Sequence, residues 1–192
     1  RDVAVASYKL SVDWNNDGVF TGTGEAINMA RVRGIDCFRG RDNASQLTGR
    51  SIAGTLRVVL DNRSGDYNPF NTGSPIAGNI LPGREVQLLG TSVALTDKPI
   101  WRGFLLRVMP QPILGGDNVA ILEAIGPLGQ LNTDQIALAL QTSQRTDLLI
   151  GKLLDDAGWP AGARLLDVGR TTITRYWADR QYPVNAMQQV EA

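Results

Sequence analysis

The residues best suited to chemistry lie in a short loop near the start of the chain, where acidic and amide side chains alternate. Asp13, Asn15 and Asp17 offer oxygen atoms at alternate positions, and Gly18 follows them. This order matches positions 1, 3, 5 and 6 of a calcium-binding loop, in which the glycine allows a sharp turn. The backbone carbonyl of Val19 can supply a further oxygen. Because Ca²⁺ binds about six to eight oxygen ligands, the segment is a candidate calcium site.

The end of this loop departs from the calcium-loop pattern. The position that usually carries a bidentate glutamate is Gly24, and Glu25 lies one residue further on. A loop with a different exit could still bring Glu25 to the metal. The alternative is a turn between two strands, which aspartate, asparagine and glycine can build without any metal. The predicted calcium ligands are Asp13, Asn15, Asp17, Val19 and Glu25. We expect no other cofactor.

The composition excludes several other kinds of site. The chain has 192 residues, with no histidine and one cysteine, Cys37. It therefore lacks a Ser/His/Asp or Cys/His relay, histidine-bound zinc and an internal disulfide. With 19 basic and 19 acidic residues its formal net charge is zero, which argues against general attraction to nucleic acid or to an anionic membrane. No apolar run approaches the roughly 18 residues of a membrane-spanning helix. We expect no membrane span and no enzymatic activity.

Arginine is concentrated in residues 31–50. Such a set could bind phosphate groups, but Asp36 and Asp42 interleave with it and Phe38 is its only aromatic companion. A solvated strand face or an interface with another subunit is therefore favoured over sequence-specific nucleic-acid binding. The predicted interface residues are Arg31, Arg33, Arg39, Arg41 and Arg50.

Two further kinds of site have weaker support. A sugar-binding site could use the four tryptophans, but their spread over separate segments is more typical of core residues or interface anchors. These residues are Trp14, Trp101, Trp159 and Trp177. A glycosidase would need two paired carboxylates in a cleft, whereas the chain has four glutamates and no recognisable motif around any aspartate.

The elements that must position these residues are mainly β-strands. Throughout the first 130 residues or so, short apolar stretches alternate with Gly, Pro, Asn and Asp. Residues 54–62 give the clearest strand, with Leu56, Val58 and Leu60 on one face. The predicted strands are residues 4–14, 27–38, 54–62, 84–89, 100–109 and 118–125. Because no long helix separates them, the pattern favours an antiparallel barrel or sandwich.

The pattern changes near residue 130. Residues 146–158 predict an amphipathic helix that ends at Gly158, and a second helix begins after Pro183. A strand is predicted between them, in residues 171–177. We therefore expect a mainly β domain in residues 1–132 and a small mixed α/β segment in residues 133–192. The chain begins at Arg1 and stops inside a predicted helix, so we expect it to be a piece of a longer protein.

The order of several turn motifs resembles the N-terminal region of tail-hub or tail-tip proteins of tailed bacteriophages and their prophage relatives. The resemblance covers nearly the full chain. The segments that carry it are residues 13–18, 39–50, 53–69, Leu81-Pro82-Gly83-Arg84-Glu85-Val86, Trp101-Arg102-Gly103, residues 124–128 and residues 156–160.

This resemblance implies a structural protein built from small hub-like β-barrel domains. Hubs of this kind assemble as a ring, commonly a trimer, at the distal end of the tail tube. They join the tube and the tape-measure protein to other baseplate or fibre proteins. The resemblance therefore implies a homo-oligomer located in the virion tail and expressed in the bacterial host cytoplasm, with no catalytic residues carried over to this region.

A second function remains open from the residues themselves. The loop from Asp13 to Glu25 and the four tryptophans would also suit a calcium-dependent extracellular binding module of a bacterial surface protein. A neighbouring tape-measure gene would distinguish the tail component from this alternative.

Overall fold

The computed structural model describes residues 6–39, 41–42, 50–92, 95–112, 118–131 and 134–191, without the side chains of residues 41, 42, 50, 51, 163 and 191. The chain forms two compact units. One comprises Arg1–Gly40 and Ala53–Pro127, and the other comprises Arg41–Ile52 and Leu128–Ala192.

The described residues are mainly β, as the sequence predicts. Two of their three α-helices are the predicted ones, and the short helix Pro127–Gln130 was not predicted. The strands are β1 (Ser7–Val12), β2 (Ala26–Ile27), β3 (Val32–Phe38), β4 (Arg41–Asp42), β5 (Arg50–Ser51), β6 (Thr55–Asp61), β7 (Glu85–Thr91), β8 (Lys98–Gln111), β9 (Val119–Ile125), β10 (Ile136–Arg145) and β11 (Thr172–Gln181). The helices are α1 (Pro127–Gln130), α2 (Thr146–Asp156) and α3 (Pro183–Glu191), with short 3-10 helices at Met29–Arg31 and Ala161–Ala163. None of the helices described is long and apolar enough to cross a membrane.

Seven strands of the first unit form one antiparallel sheet in the order β2-β1-β7-β8-β9-β6-β3. The two end strands, β2 and β3, are consecutive in sequence and are joined only by residues 28–31. Four residues span at most about 14 Å, so the sheet must curl until its two ends approach each other. A single curled sheet corresponds to the barrel that the strand pattern allows rather than to two stacked sheets.

The inner face of the curled sheet forms the core of the first unit. In β6, Leu56, Val58 and Leu60 are buried while Thr55 and Arg57 are exposed, which is the alternation that the sequence predicts. The buried cluster comprises Leu10, Val12, Trp14, Ile27, Leu56, Val58, Leu60, Tyr67, Ile76, Val86, Leu88, Trp101, Leu105, Ala120, Leu122 and Ala124. Burial of this apolar surface is the main contribution to stability.

The long polar segment between β6 and β7 is an ordered series of turns. Backbone N–H groups donate to carbonyls three residues earlier at Gly65, Asn68, Asn71, Ser74 and Ala77, in a nearly continuous ladder from the carbonyl of Asn62. The ladder pairs backbone groups that would otherwise need water. Two side chains from this segment, Tyr67 and Ile76, join the buried core, so we name residues 62–84 the core-capping loop.

The second unit has its own core. Strands β10 and β11 pair as an antiparallel ribbon, and α2 and α3 contribute to the cluster beneath it. The buried residues are Leu131, Ile136, Leu149, Leu153, Leu154, Tyr176, Ala178, Val184, Ala186, Met187 and Val190. Gly158 follows the end of α2 with a φ of 68°, as expected for a glycine after a helix.

Two aspartates near the end of α2 lie where the helix dipole disfavours negative charge. The structure gives both a partner. Asp155 accepts a hydrogen bond from the Arg164 guanidinium at 2.7 Å, and Asp156 accepts one from the backbone N–H of Ala137 at 3.0 Å. These acids therefore join the helix to the following turn and to β10.

Gly103 tests how closely the first sheet is packed. A Cβ placed there would lie 2.3 Å from the carbonyl oxygen of Ile125 and 2.5 Å from the Trp101 ring. We predict that Gly103→Ala lowers the free energy of unfolding by about 1–3 kcal/mol, because the backbone and the buried ring cannot move aside freely. Denaturant unfolding measures this change.

Gly34→Ala is the matched control. A Cβ at Gly34, in the edge strand β3, meets no atom within 4 Å. We expect this substitution to change the free energy of unfolding by less than about 0.5 kcal/mol. Equal losses in the two variants would contradict the packing argument.

Candidate functional site

The candidate site is the loop between β1 and β2, residues 13–25, which we name the acidic loop. The two strands pair with Leu10 opposite Ile27 and Ser11 opposite Ala26. The backbone N–H of Val12 donates to the carbonyl of Glu25 at 2.9 Å. This pairing brings the first and last residues of the loop, Asp13 and Glu25, to the same end of the hairpin.

The carboxylate of Asp13 organises the first half of the loop. Its Oδ1 accepts backbone N–H groups from Asn16 at 2.6 Å and Asp17 at 3.2 Å, and its Oδ2 accepts that of Gly18 at 2.9 Å. Asp13 is 2% exposed. Positive φ angles at Asn16 and Gly18 let the backbone wrap around this carboxylate.

Asp17 and Asn15 continue the same network. The Asn15 side-chain oxygen accepts the Asp17 backbone N–H at 3.1 Å, and its amide donates to Asp17 Oδ2 at 2.9 Å. Asp17 Oδ1 accepts the backbone N–H of Val19 at 2.9 Å. Asn15, Asp17 and Val19 are exposed, so this side of the loop is open to solvent.

Glu25 closes the loop from the other side and is 1% exposed. Its Oε2 accepts the backbone N–H of Gly22 at 2.6 Å. A Cβ at Gly22 would lie 2.7 Å from the Glu25 carboxyl carbon, so only glycine leaves room for this side chain.

Three of the predicted ligands therefore lie together. Carboxylate oxygens of Asp13, Asp17 and Glu25 are all within 4.8 Å of one another. In the part of the chain that the structure describes, none of the three forms an ion pair with lysine or arginine. A group of carboxylates with this spacing can hold a hard cation such as Ca²⁺.

The loop is fixed to the core beneath it. The buried Trp14 ring donates from Nε1 to the carbonyl of Gly24 at 3.1 Å. Gly24 has a φ of 75°, and a Cβ there would lie 2.8 Å from Ile76 of the core-capping loop. The acidic loop and the core-capping loop therefore pack against each other.

Arg31, one of the predicted interface residues, ends the 3-10 helix before β3 and ties it to the core-capping loop. Its guanidinium forms an ion pair with Asp66 at 2.8 Å and donates to the Ser64 hydroxyl at 2.5 Å. It also lies 5.1 Å from the centre of the Tyr67 ring, within the range of a cation–π contact. These contacts give Arg31 a role within its own chain. We name Arg31, Ser64, Asp66 and Tyr67 the Arg31 cluster.

The other predicted interface arginines have different surroundings. Arg33 pairs with Asp61 at 3.0 Å, and Arg39 donates to the carbonyl of Ile100 at 2.7 Å. Arg41 and Arg50 lie in β4 and β5, where their side chains fall outside the described atoms. The interface at these residues remains a prediction.

Hydrogen bonds lower the pKa values of Asp66 and Asp61, the aspartates that pair with Arg31 and Arg33. The Ser64 hydroxyl and the Arg31 guanidinium lower the pKa of the Asp66 carboxyl below its ordinary value of 3.8. The backbone N–H of Arg63 and the Arg33 guanidinium lower the pKa of Asp61. Both carboxylates are therefore charged at neutral pH.

The tryptophans have separate structural positions. Trp14 and Trp101 are buried in the first core, and Trp159 packs partly buried against the second. Trp177, on β11, is exposed. Buried rings cannot stack on a sugar, so the structure does not gather the four tryptophans into a sugar-binding site.

The fold is similar to three solved structures, although the sequence matches no protein-family model and no curated protein. The 43 kDa tail protein of prophage MuSo2 from Shewanella oneidensis matches 95% of this chain with a TM-score of 0.53 and 11% identity. The Francisella PdpA–VgrG complex matches 94% with a TM-score of 0.50 and 6% identity. The E. coli c3393 protein, a type VI secretion component described as similar to the T4 tail proteins gp27 and gp5, matches 97% with a TM-score of 0.45 and 5% identity.

These comparisons confirm the resemblance at the level of the fold, which is that of a phage tail-hub-like protein. The chain spans 46%, 27% and 38% of those three structures, in the order given.

Asp66 provides a test of the Arg31 cluster. Because its native pKa lies below the unfolded value, the carboxylate stabilises the fold above the unfolded pKa. This contribution is lost as the pH falls through the native pKa. We predict that Asp66→Asn costs about 1 kcal/mol at neutral pH and loses less stability than wild type on acidification. Urea unfolding across a pH series measures both effects.

Asp167→Asn is the control, since Asp167 is exposed and accepts no hydrogen bond from the described residues. We expect it to retain the wild-type pH dependence. If Asp66→Asn follows the same acid profile as wild type, the cluster does not contribute as argued.

Proposed function

We propose that the chain is a structural component of a phage or prophage tail, part of the hub at the tail tip or baseplate. The observation that carries this proposal is the likeness of its fold, over 95% of its length, to the 43 kDa tail protein. The order of the turn motifs in the sequence supports the same proposal.

Assembly in this role is through protein interfaces. The chain forms a homo-oligomer, three copies in a ring, at the distal end of the tail tube, and it contacts tube, tape-measure and other baseplate or fibre proteins. Both units carry large apolar side chains in solvent, including Phe70, which is 89% exposed on the core-capping loop, and Leu165. Exposed apolar side chains of this kind are suited to protein contacts.

The proposed location is the virion tail after expression in the bacterial host cytoplasm. No catalytic role is proposed. The lack of histidine removes the commonest acid–base residue near neutral pH, which agrees with a part that acts by binding.

Electron microscopy of particles tests the tail role. We predict that gold-labelled antibodies against the chain bind one end of the tail, and that deleting its gene gives particles without complete tails. A complemented deletion strain is the control. Complete tails in the deletion strain, or wild-type tails that the antibodies do not label, would overturn the proposal.

For the acidic loop we propose that Ca²⁺ binds Asp13, Asp17 and Glu25, with Asn15 and the Val19 carbonyl as further oxygen donors. The support is the approach of three carboxylates within 4.8 Å, two of them buried. Mutual repulsion of their charges makes a bound cation favourable. The metal here has a bracing role, since it would hold the hairpin loop against the core-capping loop.

The same observation favours the alternative function, a calcium-dependent extracellular binding module of a bacterial surface protein. The two functions share the loop and differ in location. Labelling of the bacterial surface without labelling of tails would favour the binding module.

A thermal-unfolding titration tests the metal. We predict that about 1 mM Ca²⁺ raises the melting temperature and that EDTA reverses the rise, because a ligand bound only to the native state stabilises it. Asp17→Asn removes an exposed carboxylate and should weaken this response, whereas Asp167→Asn should retain it. The absence of any shift in wild type would eliminate the calcium site without affecting the tail proposal.

A further inference from the structure

The β10–β11 ribbon has one buried face and one open face. On β11, Tyr176 and Ala178 point into the core of the second unit. On the open face, Trp177 is 62% exposed and Leu140, from β10, is 59% exposed. Burial of the large tryptophan ring is favourable and tryptophan is enriched at interfaces, so this face is suited to a contact.

Charges flank this tryptophan symmetrically. Arg175 and Asp179 lie two residues before and two residues after Trp177, so the three side chains share the open face of β11. All three are exposed. Within the described part of the chain, neither Arg175 nor Asp179 forms a side-chain hydrogen bond or ion pair.

The ribbon is also incomplete as a sheet. Among the described strands, β11 pairs only with β10, which leaves its other edge without a strand. Unpaired N–H and C=O groups on such an edge readily accept another strand.

We propose that two copies of this chain associate through the free edges of β11, antiparallel, about a two-fold axis at Trp177. In this register Arg175 lies opposite Asp179 of the second copy, and Asp179 lies opposite Arg175 of the second copy. A parallel pairing in register would place like charges opposite each other, and an antiparallel shift of two residues would place Arg175 opposite Trp177. The charge pattern therefore selects a second copy in this arrangement.

The pairing gives a four-stranded sheet in the order β10-β11-β11-β10. The two Trp177 side chains become directly opposite cross-strand neighbours, with Cβ atoms about 4.5–5.5 Å apart. Leu140 of each copy lies beside them, because residues 139 and 140 fall between the Leu138–Ala178 and Gln141–Tyr176 pairs. The apolar side chains thus form a continuous row between the two charge pairs.

This inference concerns the free protein and does not rest on the tail role. A two-fold contact uses the same surface on both copies and closes on itself, whereas a three-copy ring needs a different, head-to-tail contact. The sedimentation experiment below and the microscopy of tails therefore fail or succeed separately.

Charge reversal of the 192-residue chain tests the contact. Sedimentation velocity over a concentration series should show that wild type dimerises. Arg175→Asp alone and Asp179→Arg alone should each weaken dimerisation about tenfold or more, since both cross-strand pairs become repulsive. The double variant Arg175→Asp/Asp179→Arg should regain dimerisation, and an equimolar mixture of the two single variants should form the mixed dimer.

Arg170→Asp is the matched control for net charge, because Arg170 is exposed and lies outside β11. It should dimerise as wild type does. Circular dichroism checks that each variant is folded. A monomeric wild type, an oligomer that ignores the single reversals, or a double variant that stays monomeric would each overturn the proposal. If wild type is monomeric, a strand of a different protein would be the next occupant of the β11 edge to examine.

Discussion

The first unit depends on a constraint of chain length. Strands β2 and β3 occupy opposite ends of a seven-stranded sheet, yet only residues 28–31 join them. A flat sheet cannot satisfy both conditions, so the sheet must curl and its apolar face must turn inward. The apolar face of the curled sheet forms the core, and the core-capping loop adds Tyr67 and Ile76 to that core. The acidic loop and the Arg31 cluster are both positioned by this arrangement.

Most strands of the seven-stranded sheet could be predicted from local pattern, because one buried face imposes strict alternation, as in β6. Strand β10, in the ribbon of the second unit, was not predicted. Its residues Ala137, Leu138, Ala139 and Leu140 alternate little in polarity and include weak strand formers. The structure supplies the missing information through pairing with β11. The predicted strand at residues 27–38 likewise divides into β2, a 3-10 helix and β3, with an irregular register between Val32 and Gly34.

The candidate site shows which of its residues can be identified from their spacing in the sequence and which cannot. The local residues Asp13 and Asp17 follow from a motif that lies within one turn. Glu25 does not, since its position by count is wrong for a calcium loop, and only the β1–β2 pairing brings it beside Asp13. The arginines show the reverse case. Their density suggested an interface, but the partners of Arg31 and Arg33 lie some thirty residues away in the chain. Contacts at that separation depend on the fold and not on spacing.

The core-capping loop has a consequence for how its length can change during evolution. Its backbone hydrogen bonds repeat every three residues from Asn62 to Ala77, and each turn begins where the previous one ends. Insertion or deletion of one residue between Tyr67 and Ile76 would move the second buried side chain out of phase with the core. A change of three residues would add or remove one whole turn and preserve that phase. Loop lengths among homologues should therefore differ in steps of three.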